Sequence, residues 1–165
     1  MGEESTTRHD SRAERRALLV WTLLARTYHH ALQEIEATLL DHGLTVMEFD
    51  VLAHIDARSG LTQQELAGRL LVTKGNVTYQ LTKLEGQHLI ERHVTKRCNH
   101  LHLTPRGRQV VHDAVVSLKA LHTRQFAHLT PEEQRQLTAL LRKATSAPSS
   151  AHDNATSPHA PLIEV

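Results

Sequence analysis

From Ser11 onward, apolar residues recur at spacings of three and four. Leu18, Trp21, Ala25, Tyr28, Leu32, Ile35 and Leu39 fall on one stripe, predicting a helix of roughly 30 residues that closes near Gly43. A second stripe, Val46, Phe49, Leu52, Ala53 and Ile55, predicts a helix from Thr45 to about Arg58, ended by Ser59-Gly60. Thr62, with Glu65 three residues on, carries the signal of a capping box. Hydroxyl and carboxylate there satisfy orphan amide donors reciprocally, opening a third helix with Leu66, Ala67 and Leu70 inward. Thr73 caps a fourth helix to about Glu85, with Val77, Leu81 and Leu84 as its buried stripe.

Leu89-Ile90 and Leu101–Leu103 then flank a polar turn and predict a hairpin. Thr104-Pro105 opens a fifth helix with Pro at its first position, where the missing N–H costs nothing. Its apolar face runs through Val111, Ala114, Val115, Leu118 and Leu121 toward Leu129. Thr130-Pro131-Glu132-Glu133 is a second capping box and starts a terminal helix through Leu137, Leu140 and Leu141. Polar residues 1–11 read as a disordered N-terminus. Residues 145–165, rich in Ser, Pro, Ala and His, read as a flexible tail.

Helix, turn, helix and basic hairpin in that order spell a winged helix-turn-helix. The expected fold is therefore mainly α, with a three-helix core and a two-stranded wing over residues 44–104. The helix at 12–43 carries more apolar stripe than one small lobe needs, which points to packing against another subunit, with an intramolecular scaffold as the alternative.

Composition sharpens this picture. Aromatics make up 3% of the 165 residues, leaving Leu, Val and Ala to fill the core. One cysteine excludes an internal disulfide framework and suits a reducing compartment. The charged N-terminus has no secretory h-region and no apolar run approaches the ~20 residues of a bilayer span, so a cytoplasmic protein without membrane contact is expected. No glycine-rich phosphate loop or nucleophile elbow is present, and the cysteine has no evident acid–base partner, so enzymatic function finds no support.

The net charge of +1 conceals a segregation. From Arg69 to Arg108 eight Lys/Arg face two acids, a balance of +6; the other 11 basic and 16 acidic residues give −5. Cations gathered on a helix-turn-helix mark where a polyanion would lie. On the fourth helix, removing the buried stripe leaves Thr73, Lys74, Asn76, Thr78, Tyr79, Thr82 and Lys83, with no carboxylate before Glu85. Asn can pair bidentately with adenine, Thr methyls can meet thymine methyls, and lysines can reach phosphate or guanine. In the hairpin, Arg92, His93, Lys96 and Arg97 form a basic tip suited to phosphate or minor-groove contact.

The stretches LTVMEFDVLAHI, GLTQQELAGRLLVTKGNVTYQLTKLE, HLIER and LHLTPRGR together resemble the multiple antibiotic resistance regulator (MarR) family, over roughly residues 15–144. The resemblance implies a homodimeric transcription factor, usually a repressor, on pseudo-palindromic operator DNA, with dimerisation helices over residues 12–43 and 105–144. It also implies release by a small, often phenolic, effector, with no cofactor required. By position it assigns the recognition helix to Thr73, Lys74, Asn76, Thr78 and Tyr79, and the wing's basic pair to Lys96 and Arg97. Trp21, Arg26, Tyr28, Phe49 and Asp50 become candidates for lining an effector cleft. The chain departs from the pattern at Thr95, where the wing often has Asp, in a shorter wing, and at His88, in a slot usually held by Gly. His tolerates the positive φ that such a slot requires.

Fourteen histidines raise the question of a metal. Cys98, His100 and His102 alternate on one strand, sharing the face opposite Leu101 and Leu103, and His93 on the partner strand is a candidate fourth Zn²⁺ ligand. Against this, same-face neighbours on a strand lie about 7 Å apart. His29, His30, Asp50 and His112 form a second candidate set, drawn from the helices that surround the family's cleft. Cys98 beside Lys96 and Arg97 is a candidate redox thiol. A metal- or redox-responsive sensor of the same fold, or a sensor acting mainly through a protein partner with degenerate DNA binding, stands as the alternative.

Overall fold

The computed structural model describes residues 3–70, 73–95 and 98–146. The chain divides after Ile35 into two compact units. The first is the greater part of α1 (Glu3–Leu40). This helix begins at Glu3 rather than near Ser11. Residues 3–10 contain neither Gly nor Pro, and Glu3 and Glu4 complement the positive end of the helix dipole. Along this unit Leu18, Leu19, Val20, Trp21 and Leu23 are all more than half exposed.

The second unit holds the core. Leu39 is fully buried near the end of α1, and Gly43 closes the turn in the left-handed region at φ +72°, a conformation glycine adopts without steric cost. Helix α2 (Val46–Ala57) is the central element, with Phe49, Val51, Leu52 and Ile55 at most 1% exposed. Thr45 caps it in a box with Glu48, the Glu48 amide donating to Thr45 Oγ1 and Glu48 Oε2 accepting from the Thr45 amide. Two residues of strand, β1 (Leu61–Thr62), precede α3 (Gln63–Leu70). Thr62 ends the strand and caps the helix, its amide donating to Glu65 Oε2 at 2.8 Å.

Helix α4 (Lys74–Gly86) follows, buried through Val77, Leu81 and Leu84. Its exit passes through His88 at φ 58°, and the Leu89 amide donates back to the Leu84 carbonyl at 3.0 Å. Strands β2 (Ile90–Thr95) and β3 (Cys98–Leu103) form the hairpin. β1 joins them, so the expected two-stranded wing is an antiparallel sheet of three strands in the order β1-β3-β2. Burial explains the third strand, because Leu61 pairs with Leu101 and both side chains are inside. The strands also run further than their apolar ends suggested. The ladder continues through the pairs His93–His100 and Val94–Asn99.

Helix α5 (Pro105–Gln125) starts on the Thr104 cap and stops at Gln125, short of Leu129. The Phe126 and Leu129 amides turn back to the carbonyls of His122 and Phe126, and the next cap, Thr130, follows at once. α6 (Pro131–Thr145) opens with the Thr130–Glu133 capping box and buries no side chain, leaving Leu140 and Leu141 exposed.

Candidate nucleic-acid interface

Helix α4 presents two opposed faces. Val77, Leu81 and Leu84 pack inward, while Gly75, Asn76, Thr78, Tyr79 and Thr82 are exposed, Tyr79 by 67%. Thr73 Oγ1 serves the cap as an acceptor from the Asn76 amide at 3.3 Å, a bond that does not use its O–H proton. Gln63 Nε2 of α3 donates to Thr78 Oγ1, and Thr82 Oγ1 donates to the Thr78 carbonyl at 2.9 Å. Asn76 and Tyr79 thus stand as the long polar groups of the exposed face. A β-carbon on Gly75 would meet nothing within 4 Å.

Two predicted DNA contacts pair with carboxylates of the protein itself, Lys83 while remaining exposed. Lys83 Nζ lies 2.7 Å from Glu48 Oε1, a carboxylate on α2 that is 1% exposed. Burial pushes the Glu48 carboxyl up, but hydrogen bonds from Lys83 and Thr45 outweigh it and hold the group below its ordinary value. The same pairing raises Lys83. Arg92 Nε lies 2.8 Å from Glu85 Oε1, joining β2 to the last turn of α4. Both cations look free in the sequence because their partners come from other elements. Glu48 itself was missed as a residue of interest, although Thr45-Val46-Met47-Glu48 carries the same box signal as Thr62 to Glu65. Lys74 opens α4 at the end of the helix where the exposed face begins; Lys96 and Arg97 lie outside the described residues.

The candidate effector residues fall on both units. Trp21, Arg26 and Tyr28 are exposed on the first. Phe49, only 1% exposed, and Asp50 are buried on α2 in the second.

Five of the metal candidates meet other partners. His100 Nδ1 donates to the Gly60 carbonyl at 2.8 Å, and His102 Nδ1 lies 2.8 Å from Ser59 Oγ. His93, opposite His100 as expected, stacks on the His102 ring at 4.6 Å and approaches Glu91. His29 and His30 meet Gln33 and Glu34 on their own helix. Among the described residues no group of three or more His, Cys, Asp or Glu could hold a metal ion, and no helix is long and apolar enough to cross a membrane.

Three comparisons bear on this geometry. A family model described as MarR family matches residues 42–97. The chain is 34% identical over 133 residues to YkoM of Bacillus subtilis, an uncharacterized HTH-type transcriptional regulator, covering 78% of this chain and 86% of that protein. It is 33% identical over 116 residues to the HTH-type transcriptional repressor Mb2911 of Mycobacterium bovis, covering 68% and 84%. Among solved structures, the Mycobacterium tuberculosis MarR family protein Rv2887 in complex with DNA matches with TM-score 0.64 and 31% identity, over 76% of this chain and 96% of that one. The same protein in complex with salicylic acid matches with TM-score 0.59 and 32% identity, over 74% and 93%.

Proposed function

The chain belongs to the MarR family of transcriptional regulators, and on that premise we propose that it binds operator DNA as a homodimer and represses transcription until a small effector releases it. One observation carries the reading. The second helix of the helix-turn-helix exposes Asn76, Thr78, Tyr79 and Thr82 above a buried apolar stripe, with no acid on that face before Glu85. A face of amide, hydroxyl and phenol groups without carboxylates suits base edges and phosphates alike. The DNA complex of Rv2887, a relative at 31% identity, supports it.

In this reading Thr73, Lys74, Asn76, Thr78, Tyr79 and Thr82 meet the major groove, and Lys96 and Arg97 meet the backbone from the wing. Lys83 and Arg92 are left out because their charges are matched within the protein. Residues 12–43 and 105–144 form the dimer. The exposed apolar side chains of α1 and α6, Trp21 and Leu140 among them at 65% each, support that assignment, since such surface favours burial against a second copy. Two recognition helices then enter successive major grooves about 34 Å apart, on a pseudo-palindromic site. The salicylic acid complex of Rv2887 supports a small phenolic effector. The regulator acts in the cytoplasm and catalyses no reaction.

The test is selection of bound fragments from genomic DNA, with and without salicylate. An enriched pseudo-palindrome that is lost in salicylate, with affinity falling steeply with salt, is the expected result. Recovery of no sequence above background would overturn the DNA reading. Enrichment indifferent to phenolic acids would overturn the effector alone.

A further inference from the structure

Boxes of the Thr-x-x-Glu type cap three helices here, and they are not alike. Glu65 and Glu133 are exposed, and the second oxygen of Glu65 lies 3.9 Å from the Arg58 guanidinium at the surface. Glu48 is 1% exposed, its Oε2 taken by the Thr45 amide at 2.8 Å and hydroxyl at 3.0 Å. Its other oxygen would stand charged in the interior without a cation, a costly arrangement for any carboxylate. The cation comes from α4: Lys83 Nζ at 2.7 Å. On the far side of the same helix end, Glu85 holds Arg92 of β2 at 2.8 Å. The C-terminal half of α4 is therefore tied to α2 and to the wing. Its N-terminal half carries Asn76 and Tyr79 into the open.

We propose that Glu48 and Lys83 form a positioning pair that sets the angle at which α4 presents Asn76, Thr78 and Tyr79, and that Lys83 acts on DNA recognition through this pair rather than by touching phosphate. The proposal rests on the reading that α4 binds DNA, and it concerns how that helix is held. A lysine on the flank of a recognition helix has an obvious alternative role as a phosphate contact. The two roles differ in what they do to salt dependence and to sequence preference. A phosphate contact contributes about 0.9 to the slope of log affinity against log salt and weakens all sequences alike. A positioning pair leaves the slope unchanged and disturbs the bases that the misaligned side chains read.

The experiment uses the full chain and a fragment selected from genomic DNA. Affinity is titrated against salt for the parent, Lys83→Met, Lys83→Arg, Glu48→Gln and the Glu48→Gln/Lys83→Met double variant, with circular dichroism to confirm folding. Lys83→Met and Glu48→Gln are expected to weaken binding by on the order of ten-fold each, the scale of one misaligned base contact. Both should keep the parent slope and shift base preference in the same way. The double variant should be no weaker than either single one, and Lys83→Arg should recover most of the affinity. A slope reduced by about one in Lys83→Met, or parent-like binding by Glu48→Gln, overturns the pair and leaves DNA binding intact. If Glu48→Gln does not fold, the Lys83 variants decide through their slopes. A parent chain that binds no DNA overturns the underlying reading, and the proposal falls with it.

Discussion

The Leu89 carbonyl oxygen occupies the space that a side chain on Gly107 would need: a β-carbon there would fall 2.0 Å from it. The same oxygen accepts from the Thr104 amide at 3.0 Å, so the first turn of α5 is pressed directly onto the chain entering β2. Gly107→Ala must push the two apart or break that bond. The expected loss is about 1–3 kcal/mol, in the range of overpacking a close contact, read as a lower urea midpoint with unchanged slope. A parent-like midpoint would show that the two backbones can separate without cost.

His88 sits one step earlier, between α4 and β2, at φ 58°. Its amide donates to the Glu85 carbonyl and its own carbonyl accepts from Thr104 Oγ1, so the left-handed conformation is held from both sides. An L side chain pays a steric cost there that glycine avoids, partly offset by glycine's freer unfolded chain. His88→Gly is expected to stabilise the protein by about 0.5–1 kcal/mol, seen in the same denaturation assay. Destabilisation would mean that the imidazole contributes more than its backbone costs.

The positive φ at His88 was legible only through the family resemblance, which puts a glycine in that slot, and the close approach at Gly107 was not read at all. The helix starts at Thr73, Thr104 and Thr130 and the inward leucines at 101 and 103 were legible in the residues themselves, because caps and strand alternation are local. Lys83 and Arg92 were not, since nothing near them in sequence announces that Glu48, 35 positions before Lys83, is buried beneath α4. The third strand escaped notice because two residues, Leu61 and Thr62, are too few to show alternation.

The capping boxes predict how stability follows pH. Hydrogen bonds from the Thr62 amide and hydroxyl hold Glu65 below its ordinary pKa, and those of Thr130 do the same for Glu133. A carboxyl lowered in the folded state stabilises above its unfolded pKa, and that contribution is lost as pH falls through the folded value. Glu65→Gln/Glu133→Gln should therefore melt below the parent at pH 6, with the gap narrowing between about pH 5 and pH 3 as the parent carboxylates take up protons. Comparing the two proteins cancels the histidines, which both retain. A gap that stays constant over that range would dismiss the boxes as its source.

Asn76 and Lys96 should separate reading from holding. Asn76 is exposed near the start of α4, its amide committed to the Thr73 cap and its side chain on the open face, where a side-chain amide can pair bidentately with adenine. Lys96 lies in sequence between β2 and β3, outside the described residues, and is proposed as a phosphate contact that reads no base. Asn76→Ala should cost about 1–3 kcal/mol on the selected operator and much less on a variant already changed at the base it reads. Lys96→Ala should weaken every sequence by a similar factor and reduce the salt slope by about 0.9. Mobility-shift titrations on a panel of single-base operator variants, at two or more salt concentrations, give both quantities. Uniform loss for Asn76→Ala would remove it from base reading, and an unchanged slope for Lys96→Ala would remove the wing tip from the phosphate backbone.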